Sequence, residues 1–225
     1  MATISGSVIG SFKGTLGDVY VRKINGKSQL IVRARSIKKN NDPKSVERRQ
    51  KFTVTTKFAS QVKSLPALNG IWVKLKGKML SSHNVIFKAN YHLILPERPA
   101  LENIIVPEGF DPKFSSVLSA ENKIAASIPP LNAVADSKSI LSFNCLVCFF
   151  EPGYANREKY VLFASSRDYP DLDFTIGHDL EIAFTAEQAE LSSKYYKSIV
   201  YLALVMKNEK GEYLQNSESY SVQFG

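Results

Sequence analysis

Residues 140–150 read "ILSFNCLVCFF" and residues 198–208 read "SIVYLALVMKN". Around them lie "KIAASIPP" (123–130), "KYVLFASS" (159–166), "DLEIAFTA" (179–186) and "SYSVQFG" (219–225). All six are apolar or alternating, and Pro-Gly, Asp-Tyr-Pro, Ile-Gly-His-Asp and Glu-Lys-Gly separate them. Short strands with turn residues at this spacing predict an antiparallel β-sandwich of immunoglobulin-like architecture over residues 114–225. Cys145 and Cys148 fall inside the first run. A strand sends positions three apart to opposite faces, so the two thiols cannot easily meet at one metal, and they are expected to pack as small hydrophobes. Two cysteines are also too few for a disulfide framework.

Working back from the sandwich, Pro96, Pro99, Pro107 and Pro112 mark 96–113 as an extended connector. Residues 1–95 form a hairpin-plus-helices region. In "GDVYVRKINGKSQLIVRAR", two β-rich runs, Val19 to Ile24 and Gln29 to Ala34, flank Asn25-Gly26, a strong hairpin signal. A two-stranded hairpin is marginal by itself and must find a sheet or a partner. Then comes a helix from Pro43 to about Leu65. Asn41 or Asp42 is placed to cap it, and Pro66 discourages its continuation. Val54, Phe58, Val62 and Leu65 make its apolar stripe, while Lys44, Arg48 and Lys51 recur one turn apart on another face. "LNGIWVKLKGKML" and "SSHNVIFKANYHLIL" read as two more helices, Ser82 capping the second, and the short connections favour a small antiparallel bundle. The fold class expected is therefore α+β.

"GTLGDVYVRKINGKSQLIVRAR", "NNDPKSVERRQKF", "GKMLSSHNVIFKANYHLI" and "VYLALVMKNEKGEYLQNSESYSV" together resemble a domain-of-unknown-function family of Bacteroidetes. That family orders a glycine-rich hairpin, a basic Asn-Pro/Arg-x-x-Phe helix and a C-terminal sandwich. Here Asp42 stands where the family often has Asn, and the first hairpin lacks tryptophan. The resemblance implies the fold and carries no catalytic residues with it.

Chemistry is hard to find in the chain. His83 and His92 are nine apart, His178 stands in a loop beside Asp179, and no zinc-ligand spacing occurs. Ser165-Ser166 and Ser192-Ser193 lack a nucleophile elbow, and "GSVIGSFKG" lacks the Lys-Ser/Thr of a phosphate loop. Asp171 with Asp173 and Glu187 with Glu190 sit in turn-like or exposed contexts. The expectation is no enzyme, no cofactor and no metal site. Nothing reads as a secretory signal or a membrane span, which points to the cytoplasm or to a virion made there.

Charge is the informative feature. Of a formal net +8, residues 1–100 carry +15 and residues 101–225 carry −7. The basic arm offers Arg33, Arg35, Lys38, Lys39, Lys44, Arg48, Arg49 and Lys51, with Tyr20, Arg22, Asn25 and Gly26 in the adjoining hairpin. These twelve are the candidate partner-binding residues. In one reading they join copies into a homo-oligomer or polymer, a filament or phage-like virion component. The hairpin would then add to a neighbour's sheet, and the basic residues would meet acids such as Glu151, Asp168, Asp179, Glu181 and Glu190. The alternative is non-specific nucleic-acid binding, for which the cations suit phosphates but stacking aromatics are sparse. A third reading is a purely solubilising or intramolecular role.

Overall fold

A computed structural model describes residues 15–16, 19–24, 27–32, 41–77, 81–120, 122–135, 139–154 and 157–225. The chain is α+β with mostly antiparallel sheets. It forms two compact units, Met1–Ser45 and Val46–Gly225.

In the first unit, β1 (Thr15–Leu16), β2 (Val19–Ile24) and β3 (Lys27–Val32) form an antiparallel sheet in that order. Ile24 pairs with Lys27 and Val19 with Val32, the register of a two-residue connection. Residues 25–26 themselves lie outside the described residues.

The second unit is organised by the two long apolar runs. They become β6 (Ile140–Pro152) and β9 (Tyr195–Lys207), paired through register partners such as Val147 and Val200. β7 (Tyr160–Tyr169) flanks β6, while β10 (Tyr213–Asn216) and β11 (Tyr220–Phe224) divide the far side of β9 between them. Gly211, at φ +77°, makes the turn between β9 and β10 that an L side chain would resist. A second sheet has the order β4 (Ser116–Ala120), β5 (Lys123–Ile128), β8 (His178–Ala183). A short α4 (Ala186–Ser192) with a Thr185–Gln188 capping box leads into β9.

Alternation sends the side chains of β6 and β9 into two separate cores. Phe143, Cys145, Val147 and Phe149, with Val200, Leu202, Leu204 and Met206, meet Ile124, Leu180 and Ile182 of the second sheet. Leu146, Cys148 and Phe150, with Ile199, Tyr201 and Val205, meet helices on the opposite face. Both long strands are therefore buried on both sides, which is why they are continuously apolar.

The helices are α1 (Pro43–Ser64), α2 (Pro66–Leu75) and α3 (Ser82–Asn90). Asp42 caps α1 by accepting from the Ser45 amide at 3.2 Å. The expected stripe of Val54, Phe58, Val62 and Leu65 is buried. It packs on the β6–β9 face, and no free-standing bundle forms. Ser81 caps α3, accepting from Asn84; Ser82 instead is buried and donates to Asn69 Oδ1 at 2.8 Å. Leu75, at helical spacing with Trp72, is 54% exposed because α2 ends there.

Buried polar groups fasten the proline-rich connector. Asn90 Nδ2 donates to the Ile86 and Ile104 carbonyls, its Oδ1 accepts from Asn103 and from the Ile104 amide, and Asn103 Oδ1 accepts from the Ala100 amide. Trp72 Nε1 donates to Ile105 O at 2.8 Å and the Tyr201 hydroxyl to Ala100 O at 2.5 Å. Leaving any of these unpaired would cost ~1–3 kcal/mol, so residues 100–106 are held firmly against the helices and β9.

Candidate functional site

Of the twelve candidate residues, Asn25, Gly26, Arg33, Arg35, Lys38 and Lys39 lie outside the described residues. The structure places Tyr20 and Arg22 on β2, and Lys44, Arg48, Arg49 and Lys51 on the first half of α1. Lys44, Arg48 and Arg49 are exposed and Lys51 is half-buried. Arg49 also borders a shallow cleft of about 430 Å³ formed with Val46, Lys57, Pro96, Glu158 and Tyr160.

The register of the small sheet defines its two faces. Val19 opposite Val32 and Val21 opposite Leu30 share one face; Tyr20 opposite Ile31 and Arg22 opposite Gln29 share the other. Leu30 is 49% and Val32 71% exposed. A three-stranded sheet with β-branched residues on both faces and large apolar side chains in water has the composition of a strand layer without the burial.

The division into units relocates the charge. Met1–Ser45 holds nine Lys and Arg against Asp18 and Asp42, net +7, while Val46–Gly225 holds twenty against nineteen acids, net +1. The excess positive charge therefore belongs to the 45-residue unit. Many acids of the larger unit already have partners: Glu151 pairs with Lys197, Asp168 with Lys207, Glu190 with Lys194, and Glu181 with Lys123. For Asp168, burial works to raise the carboxyl's pKa, but hydrogen bonds from Ser142 and Lys207 and the Lys207 charge outweigh it and hold it below the usual range. The Lys194 hydrogen bond and charge hold Glu190 low in the same way. These acids are less available to a neighbour than the sequence suggests.

Groups with chemical potential elsewhere have structural partners. His83 Nε2 lies 3.4 Å from the Thr56 carbonyl and His178 Nε2 2.7 Å from that of Asp173. Cys145 and Cys148 are buried in different cores, and desolvation pushes both thiols up, Cys148 to about 12 despite the opposing charge of Arg98. Among the described residues no group of three His, Cys, Asp or Glu could hold a metal ion, and no helix is long and apolar enough to cross a membrane.

No family model and no curated protein matches the chain. Among solved structures it is similar to Northeast Structural Genomics Consortium target SoR45, at 11% identity over 50% of this chain and 80% of that one, with a TM-score of 0.26. It is also similar to beta-glucosidase from Kluyveromyces marxianus, in selenomethionine-labelled form and in complex with glucose, at 12% identity over 49% of this chain and 14% of the enzyme, TM-score 0.18. Likenesses this slight carry no argument about activity.

Sequence reasoning missed two edge strands of the larger unit. β4 ("SVLSA") and β10 ("YLQN") are short and only weakly apolar, and their one legible signal was the turn on either side.

Proposed function

We propose that this protein is a non-enzymatic structural subunit that joins copies head to tail through its N-terminal sheet, as a filament or a virion component assembled in the cytoplasm. The observation that carries this reading is the sheet itself. Val19, Val21, Leu30 and Val32 share one of its faces, and Leu30 and Val32 are exposed on a unit that carries net +7. Burying that face on a neighbour would supply affinity at ~25 cal/mol per Å² of apolar surface, whereas exposed ion pairs contribute only ~0 to 1 kcal/mol each and mainly select the partner.

The larger unit suits a rigid scaffold. Its strand orders are β4-β5-β8 in one sheet and β10/β11-β9-β6-β7 in the other. In chain order these correspond to A-B-E and G-F-C-C′ of an immunoglobulin-like sandwich, and that correspondence supports the finer fold reading. A second reading, non-specific binding of nucleic acid, draws on the concentration of positive charge and on the home pairing of many acids.

The test is to replace Leu30 and Val32 together by Asp in the full chain and to measure mass by light scattering. The assembly reading expects the parent to be polymeric and the variant to be a single chain. A variant that assembles like the parent would remove the sheet from the interface. Loss of co-purifying nucleic acid at high salt, without any change in protein mass, would favour the second reading.

A further inference from the structure

Strand addition needs an acceptor, and the larger unit presents several edges that differ in how they are closed. β8 is closed at its middle: the Tyr169 hydroxyl donates to the Glu181 carbonyl and accepts from the Glu181 amide, both at 2.8 Å. β10 is short and bulged between Tyr213 and Gln215. The connector runs beside it: Phe110 bridges Ser217, and a Cβ on Gly109 would collide with the Asn216 carbonyl oxygen. Next to β11, the Ser219 hydroxyl accepts from the Ile105 and Val106 amides, and the Ser221 hydroxyl donates to Leu101 O at 2.7 Å. β7 carries Arg167 and Asp168 on its exposed stretch, the charged residues that blunt an edge.

β4 has none of these devices. Ser116–Ala120 pairs with β5 alone among the described residues, is five residues long, and contains no charge, proline or bulge. An uncharged edge of ordinary length is a template for another strand. The segments that build its sheet, 111–128 and 171–183, hold six acids (Asp111, Glu121, Asp171, Asp173, Asp179 and Glu181) against Lys113 and Lys123. The sheet that carries the least protected edge is thus net acidic, with Asp111 and Glu121 flanking β4 in sequence and the other four acids on or before β8, at the opposite edge. Among the described residues of the N-terminal unit, β3 is likewise an outer strand, six residues long, on a unit of net +7.

We infer that β4 is the acceptor edge and that β3 of a second copy is the strand added to it. This rests on the assembly reading and names its second surface. The contact is heterologous, so each copy offers one donor and one acceptor, and growth continues until a ring closes or a filament forms.

Two full-length variants test it. Ile31→Pro disables the donor strand, and Leu118→Lys, at the centre of β4, places a charge on the acceptor edge. Each alone should run as one chain of 25.1 kDa. Mixed in equal amounts they should form a pair of twice that mass and nothing larger, because one supplies the intact β4 and the other the intact β3. Formation of that pair also shows that both variants are folded. If Leu118→Lys assembles like the parent while Ile31→Pro does not, β4 is not the acceptor and the N-terminal reading survives. If Ile31→Pro assembles like the parent, the N-terminal reading itself falls. If both variants unfold cooperatively like the parent yet do not pair when mixed, the β3–β4 contact is wrong.

Discussion

The strands of the two units use the same residue types and reach opposite ends. "LIV" at 30–32 of β3 and "LVM" at 204–206 of β9 are equally apolar, yet Val32 is 71% exposed while Leu204, Val205 and Met206 are at 0–1%. The difference is layers. β9 lies between a helical layer and a second sheet, and β3 lies in a sheet of two six-residue strands and one two-residue strand. An apolar strand sequence states a demand for cover, and it leaves open whether the same chain or another one supplies it.

The contrast is sharpest in the response to truncation. Phe143→Ala, in the core between the two sheets of the larger unit, should destabilise the protein by ~3–5 kcal/mol in urea unfolding. Val32→Ala should change the unfolding of a single chain by no more than ~0.5 kcal/mol, in keeping with an exposed site. Equal costs would erase the distinction. Trp72→Phe comes next. It keeps most of the ring but leaves the buried Ile105 carbonyl without its donor, for an expected loss of ~1–3 kcal/mol.

The acid limb offers another small effect. Because the folded pKa of Asp168 is depressed, its contribution is present above the unfolded value of ~3.9 and fades as pH falls through the folded one. Its side chain is 53% exposed, so after solvent screening Asp168→Asn should cost well under ~1 kcal/mol at pH 7 and slightly flatten the stability curve below about pH 4. A variant that instead loses stability only above neutral pH would contradict this assignment.

Much of the fold could be read from the chain because its signals were local. The β-rich runs on either side of Asn25-Gly26, Asp42-Pro43 at the start of a 22-residue helix, and six apolar runs between turns each map onto an observed element. The three-layer packing was the hardest part to read. Whether Val54, Phe58 and Val62 cover other helices or the outer face of β6 and β9 depends on contacts more than eighty residues apart, and helical period is the same in both cases. The continuous apolarity of "ILSFNCLVCFF" was the available clue, since an edge-on or half-wet strand would alternate. For the site, the cationic arm was visible as composition. Its concentration into the first 45 residues, and the home pairing of Glu151, Asp168 and Glu181, required the division into units and the cross-strand register, whereas Glu190 and Lys194 are a local pair four residues apart.

The most direct measurement is the mass of the purified full chain by light scattering after size exclusion, at low and high salt, with protein and nucleic-acid absorbance read together. The account predicts a mass many times 25.1 kDa with a clean protein spectrum, persisting at high salt because apolar burial and strand pairing carry the affinity. A single chain at every salt, or one that carries nucleic acid at low salt and sheds it at high salt, would contradict it.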